Sequence, residues 1–181
     1  MSAGSSGRAP KPVSRKRVAR SAARLAAVQA LYQMELTGAS WSRVRREFED
    51  HRFGMDLDGV ELAEADVDHF RTVLETAVDR QAAIDQATDA VLKEGWPLRR
   101  LDPILRALFR AAGAELAALP DVPLAVVINE YVEVAKAFFE GEEPRFANGV
   151  LDKLARRLRD DPLGSDPRGA APRDGTDPRD A

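Results

Sequence analysis

The chain contains no cysteine and only two histidines, His51 and His69. The first absence excludes a disulfide framework, a zinc–thiolate site, an iron–sulfur cluster and a cysteine nucleophile. The second leaves too few imidazoles for a multi-histidine metal centre, and both histidines, in acidic surroundings, read as surface residues. No stretch approaches the roughly 18 consecutive apolar residues of a membrane span. The first twenty residues also lack the apolar run of a secretory signal. A soluble, cytoplasmic protein with no membrane partner is therefore expected. No Gly-x-Gly occurs, which removes a dinucleotide-binding loop, and no segment alternates apolar and polar residues with period two, which removes a sheet. Acid is absent where it would balance charge: residues 1–24 hold Arg8, Lys11, Arg15, Lys16, Arg17, Arg20 and Arg24 with no Asp or Glu.

What is present sharpens that asymmetry. The net charge of −3 over 181 residues conceals a basic arm on a body that keeps 20 of the 27 basic residues beside all 30 acidic ones. Such an arm is suited to a polyphosphate. Residues 1–13, built of Ser, Gly, Pro and cations, read as a disordered lead-in, and 160–181, rich in Asp, Pro, Gly and Arg, as a disordered acidic tail. Between them, 14–159 reads as one all-α bundle of six or seven helices.

The helices follow from apolar spacing and punctuation. Val18, Ala22, Leu25, Tyr32 and Leu36 mark a first helix from after Ser14 to Gly38, and Ser40 is placed to cap a second with Trp41, Val44 and Phe48. The segment 53–60, with Gly54 and Gly59, reads as a loop. Between Asp66 and Leu92 there is neither Gly nor Pro, so either one long helix or two meeting near Ala83 is expected. A helix through Leu101, Leu105, Leu108, Ala112 and Leu116 follows, then one from Pro123 to near Gly141, and a last one carrying Phe146, Val150, Leu151, Leu154 and Leu158. Trp41 and Trp96 read as core or loop anchors.

Candidate functional residues lie at two places. On a helical wheel, Lys16, Arg17, Arg20 and Arg24 gather opposite the Val18–Leu25–Leu36 stripe, so packing that stripe would turn four cations outward. Arginine's planar fork suits phosphates and also stacks on unpaired bases. In the C-terminal half, Asn129 and Asn148 sit beside apolar helical faces although asparagine is a poor helix former. Phe146, after Pro144 and Arg145, is core or else a stacking platform at a helix mouth. Glu142-Glu143 has no base or nucleophile in view, so catalysis is not expected.

These residues carry a resemblance. Arg20, Ala23, Arg24 and Ala27-Val28-Gln29-Ala30-Leu31-Tyr32 are similar to the first helix of the NusB family of bacterial antitermination and ribosomal-RNA transcription factors. So are Trp96 and Leu101, Leu108-Phe109-Arg110 and Glu115-Leu116. The series Val122-Pro123, Ile128-Asn129-Glu130, Ala135-Lys136 and Phe146-Ala147-Asn148-Gly149-Val150-Leu151-Asp152-Lys153-Leu154 completes it. The resemblance spans about 14–159.

It implies an all-helical, non-enzymatic RNA-binding factor without cofactor or metal. The implied RNA is the single-stranded boxA segment of nascent ribosomal transcripts, bound together with NusE, a small-subunit ribosomal protein, within the RNA polymerase antitermination complex. The implied RNA-binding residues are Lys16, Arg17, Arg20, Arg24, Lys136, Arg145 and Phe146. Tyr32, Leu36 and Leu105 fall on the implied NusE surface. Leu105 stands where the family usually has glutamate, and an exposed leucine there would make that surface more apolar or pack on a sister subunit. Gly113-Ala114 stands where a tyrosine or another large residue is usual. Two other readings stay open: a protein-interaction bundle without RNA specificity, and a detached domain related to ribosomal-RNA cytosine methyltransferases. The latter enzymes would need the absent cysteine and cofactor loop. Monomer or homodimer is left open, and the acidic tail is expected to lie over the basic strip.

Overall fold

The computed structural model describes residues 14–53, 56–57, 60–61, 65–160 and 163. The lead-in 1–13 and, apart from Asp160 and Leu163, the acidic tail lie outside them. Seven helices occur among the described residues: α1 (Arg15–Thr37), α2 (Trp41–His51), α3 (Val67–Asp79), α4 (Gln81–Asp89), α5 (Pro103–Ala118), α6 (Leu124–Phe138) and α7 (Glu143–Asp160). The segment read as a loop contains one short antiparallel pairing, Leu57 opposite Val60 and Asp56 opposite Glu61.

Local chemistry sets the boundaries. Ser14 accepts from the Arg17 N–H at 3.3 Å, so it caps α1. Gly38 ends that helix in the left-handed region at φ 67°, donating to the Met34 carbonyl at 2.9 Å. Ser40 forms no side-chain cap on α2 and instead meets the Ser42 hydroxyl at 3.3 Å. Asp66 caps α3 through the His69 N–H at 3.0 Å, and Asp102 with Pro103 opens α5. The region from Asp66 is two helices, and the break falls at Arg80, three residues before the expected Ala83.

Helix α5 is central, packed against α1, α3, α4, α6 and α7. Leu108, Phe109, Ala111 and Ala112 have no exposed surface, and they meet Ala23 and Ala27 of α1, Phe70 and Leu74 of α3, Tyr131 of α6 and Leu151 of α7 in one core. Burying each large side chain contributes about 1.5–3 kcal/mol before conformational entropy is subtracted. Gly113 lets α4 approach: a Cβ there would stand 2.6 Å from Ile84 Cγ2.

The face that α1 buries differs from the expected one. Ala23, Ala26, Ala27, Val28, Ala30 and Leu31 are buried, whereas Val18 and Leu36 are exposed. Small residues allow α1 to approach α5 and α3 closely, and the large apolar residues at its two ends overhang the core. Trp96 is also not an anchor, with 60% of its surface exposed. Among the described residues no helix is long and apolar enough to cross a membrane.

Candidate nucleic-acid interface

The start of α1, the start of α3 and the α5–α6 connection enclose an open cleft of about 860 Å³. Lys16, Arg17 and Arg20 line it, one turn of helix giving all three a common side. Lys16 is exposed and forms no ion pair among the described residues. Arg17, 69% exposed, lies 3.6 Å from Glu130. Arg20 stands 3.5 Å from Asp66, the cap of α3.

Arg24 lines the same cleft but does not turn outward with them. The expected outward strip of four cations is a strip of three, because Arg24 is 2% exposed and directed inward. A wheel oriented by Val18 and Leu36 takes its bearing from residues that the fold leaves outside the core, and the true inward direction includes Arg24. Its Nε donates to both oxygens of Glu115 at 3.1 and 2.9 Å, and Nη2 donates at 2.6 Å. Glu115 is fully buried in α5, and His69 Nε2 lies 3.2 Å from its second oxygen. His69 is therefore interior, not the surface residue expected; His51 is exposed. Burial pushes the Glu115 carboxyl upward, but the hydrogen bonds from His69 and Arg24 outweigh it and bring the pKa down to about 2.

The cluster reaches the cleft through Arg24, His69 and Glu130, which all line it. Arg24 Nη1 is 3.4 Å from this α6 carboxylate, and the Ser21 hydroxyl donates to it. Glu130 thus ties Arg24, Ser21 and Arg17, three successive inward or sideways positions of α1, to α6. Burial also holds the Tyr131 phenol well above its ordinary pKa. Sequence reasoning missed His69, Glu115 and Ser21 as members. The available signal was one cation and two carboxylates, Arg24, Glu115 and Glu130, each set within an apolar helical run. Buried charges of this kind need partners.

A second cleft, of about 500 Å³, lies where α6 runs into α7. Lys136, Arg145, Phe139 and Asn148 line it. Lys136 also meets Glu133 at 2.7 Å on its own helix. Phe146, which follows Arg145 but is not in that lining, is 38% exposed and meets buried Phe109 edge to face, 6.2 Å between centroids. One side of that ring is fixed by the core while part of it remains open. The structure therefore groups Lys16, Arg17, Arg20 and Arg24 around the first cleft and Lys136 and Arg145 around the second, with Phe146 next to Arg145 in the chain.

Of the expected partner-binding residues, Leu36 is 60% exposed and Tyr32 is half-buried. Leu105 is 5% exposed and belongs to the core, so it cannot make the apolar surface expected of it. Its place on α5 points inward, and the nearby surface is instead charged: Arg106 and Arg110 grip Glu35, and Arg110 also holds Asp85 at 2.8 and 2.9 Å. Among the described residues no group of three or more His, Asp or Glu is arranged to hold a metal ion.

Fold and clefts together define an all-helical bundle with a cationic helix start and an aromatic–cation helix mouth on its surface. Residues 21–156 match the NusB family model, and the chain belongs to the NusB family. It is 53% identical over 142 residues to the transcription antitermination protein NusB of Maricaulis maris, covering 78% of this chain and 89% of that one. The Caulobacter vibrioides protein of the same name is 55% identical over 141 residues, with 78% and 95% covered. Among solved structures, NusB of T. maritima superimposes with a TM-score of 0.59 at 28% identity, covering 80% of this chain and 92% of that one. The NusB chain solved with NusE and double-stranded RNA superimposes at 0.63 with 23% identity, covering 80% and 98%.

Proposed function

We propose that this protein is a cytoplasmic, non-enzymatic RNA-binding transcription antitermination factor. It holds boxA-like single-stranded RNA of nascent ribosomal transcripts together with NusE and joins the RNA polymerase antitermination complex. The observation that carries the reading is the cleft at the start of α1, where Lys16 and Arg17 extend into solvent and Arg20 completes one cationic wall. Phosphates exchange condensed counterions for such side chains, so this wall supplies affinity without reading sequence. At the far end of α6, Lys136 and Arg145 supply further charge and Phe146 a partly open ring on which an unpaired base can stack. Arg24 serves the same surface from inside, through Glu130, which fixes the part of α1 that carries Arg17. Exposed Leu36, with Tyr32 one turn earlier, is the surface for NusE, and Leu105 supports it from the core.

The names of the M. maris and C. vibrioides relatives support the antitermination role, and the solved complex of NusB and NusE with double-stranded RNA supports the pairing with NusE and with RNA as a class. The test is a fluorescence-anisotropy titration of a short boxA-like RNA with and without purified NusE, challenged by duplex competitor. Tighter binding with NusE, displacement by single-stranded but not duplex RNA, and a cost of about 1–3 kcal/mol for Phe146→Ala are expected. RNA binding absent in both conditions while NusE still binds would make the chain a protein-interaction bundle. Equal displacement by duplex would overturn the single-strand reading.

A further inference from the structure

Cations spent on phosphates and one stacked ring hold an RNA strand without distinguishing its bases, so reading sequence falls to other contacts on the surface proposed above. Two side chains on it have the right chemistry. Asn129 of α6 lies in the wall of the first cleft, facing the space bounded by Lys16, Arg17 and Arg20. Asn148 of α7 lies in the second, with Lys136 and Arg145. Both are exposed, and neither carboxamide has a hydrogen-bond partner among the described residues.

Most of the neighbouring polar groups are already committed. In the first cleft Glu130 is held by Ser21 and Arg24, Asp66 caps α3 and pairs with Arg20, Ser14 caps α1, and the Thr72 hydroxyl donates to the Asp68 carbonyl. Among the described residues, Asn129 is the one uncharged polar side chain lining that cleft that bonds nothing. Neither asparagine serves its helix: each sits inside α6 or α7, past the first turn and away from both caps, where alanine would be the better helix former. A carboxamide offers a donor and an acceptor side by side, the pattern that matches a base edge in two hydrogen bonds. Positions 129 and 136 are two helical turns apart, so Asn129 and Lys136 share one side of α6 about 10 Å apart along its axis. The exposed ridge of α6 thereby runs from the first carboxamide to the cleft that holds the second.

We infer that Asn129 and Asn148 are the specificity-determining residues of this surface, each reading the edge of an unpaired base while the cations grip the phosphates on either side. This rests on the RNA-binding reading above. It assigns the two ends of α6 to two separate recognition points on one strand.

The test compares the full chain with Asn129→Ala and Asn148→Ala, titrating a boxA-like single-stranded RNA and a scrambled RNA of the same composition over a salt series. Each substitution is expected to reduce the ratio of the two affinities by at least about fivefold. The scrambled RNA should bind as before, with the salt slope unchanged and the melting temperature not lowered. Equal affinity ratios for wild type and both variants would overturn the inference while leaving the RNA-binding reading intact. So would a matched loss on both RNAs. Wild-type protein that binds neither RNA would overturn both readings, which separates the two failures.

Discussion

At the scale of single residues, the central fact is that one arginine expected to turn outward is instead paired with a buried carboxylate. Arg24 and Glu115 come from helices 91 positions apart in sequence, so no local pattern pairs them. The charge was legible, its partner was not. Lys16, Arg17 and Arg20 were readable because their placement needs only the geometry of one helix. Removing one member of a buried pair leaves the other charge uncompensated, so Glu115→Ala should cost about 3–5 kcal/mol in urea unfolding. Acid should act on the same group. The folded-state pKa of Glu115, about 2, lies below its ordinary 4.5. Its contribution is therefore fully present above pH 4.5 and is lost as pH falls toward 2, by about 3 kcal/mol in total. Urea midpoints followed across that window should fall steeply in the wild type and less steeply in Glu115→Gln. Parallel curves would show that Glu115 is not the group responsible.

At the scale of elements, helix existence was legible almost throughout, because caps such as Ser14, Asp66 and Asp102 and the stop at Gly38 are local signals. The orientation of α1 was not. A wheel weighted by large apolar residues points to Val18 and Leu36, while the buried face is mostly alanine, whose burial is decided by how closely α3 and α5 approach. The same closeness explains Gly113, which admits Ile84. Gly113→Val should overpack the α4–α5 contact and cost about 1–3 kcal/mol. In a double-mutant cycle, Ile84→Ala should recover part of that loss. Strict additivity would mean that the two residues do not contest the same space. Arg80, where α3 ends, was not legible as a break, since it carries no glycine or proline signal.

At the scale of the whole molecule, a net charge of −3 and a cationic start of α1 coexist because the charges are segregated along the chain. Arg80 donates to the Leu163 carbonyl at 2.8 Å, and Leu163 rests in a groove that includes Pro120 and Val122. These two residues also line the basic cleft. Leu163 belongs to the tail 160–181, whose six Asp outnumber its three Arg. Deletion of 160–181 should tighten RNA binding at low salt and leave it unchanged at high salt; no change at low salt would show that the tail does not screen the cleft. The central claim is that the start of α1 grips phosphates, and the salt dependence of RNA affinity tests it most directly. Wild type should be compared with Lys16→Ala, Arg17→Ala and Arg20→Ala, each titrated with boxA-like RNA from low to high salt. Each substitution should weaken binding and flatten the plot of log affinity against log salt by about 0.7 per lost contact. Unchanged slopes in all three variants, with wild-type RNA binding intact, would place the RNA elsewhere on the molecule and contradict that claim.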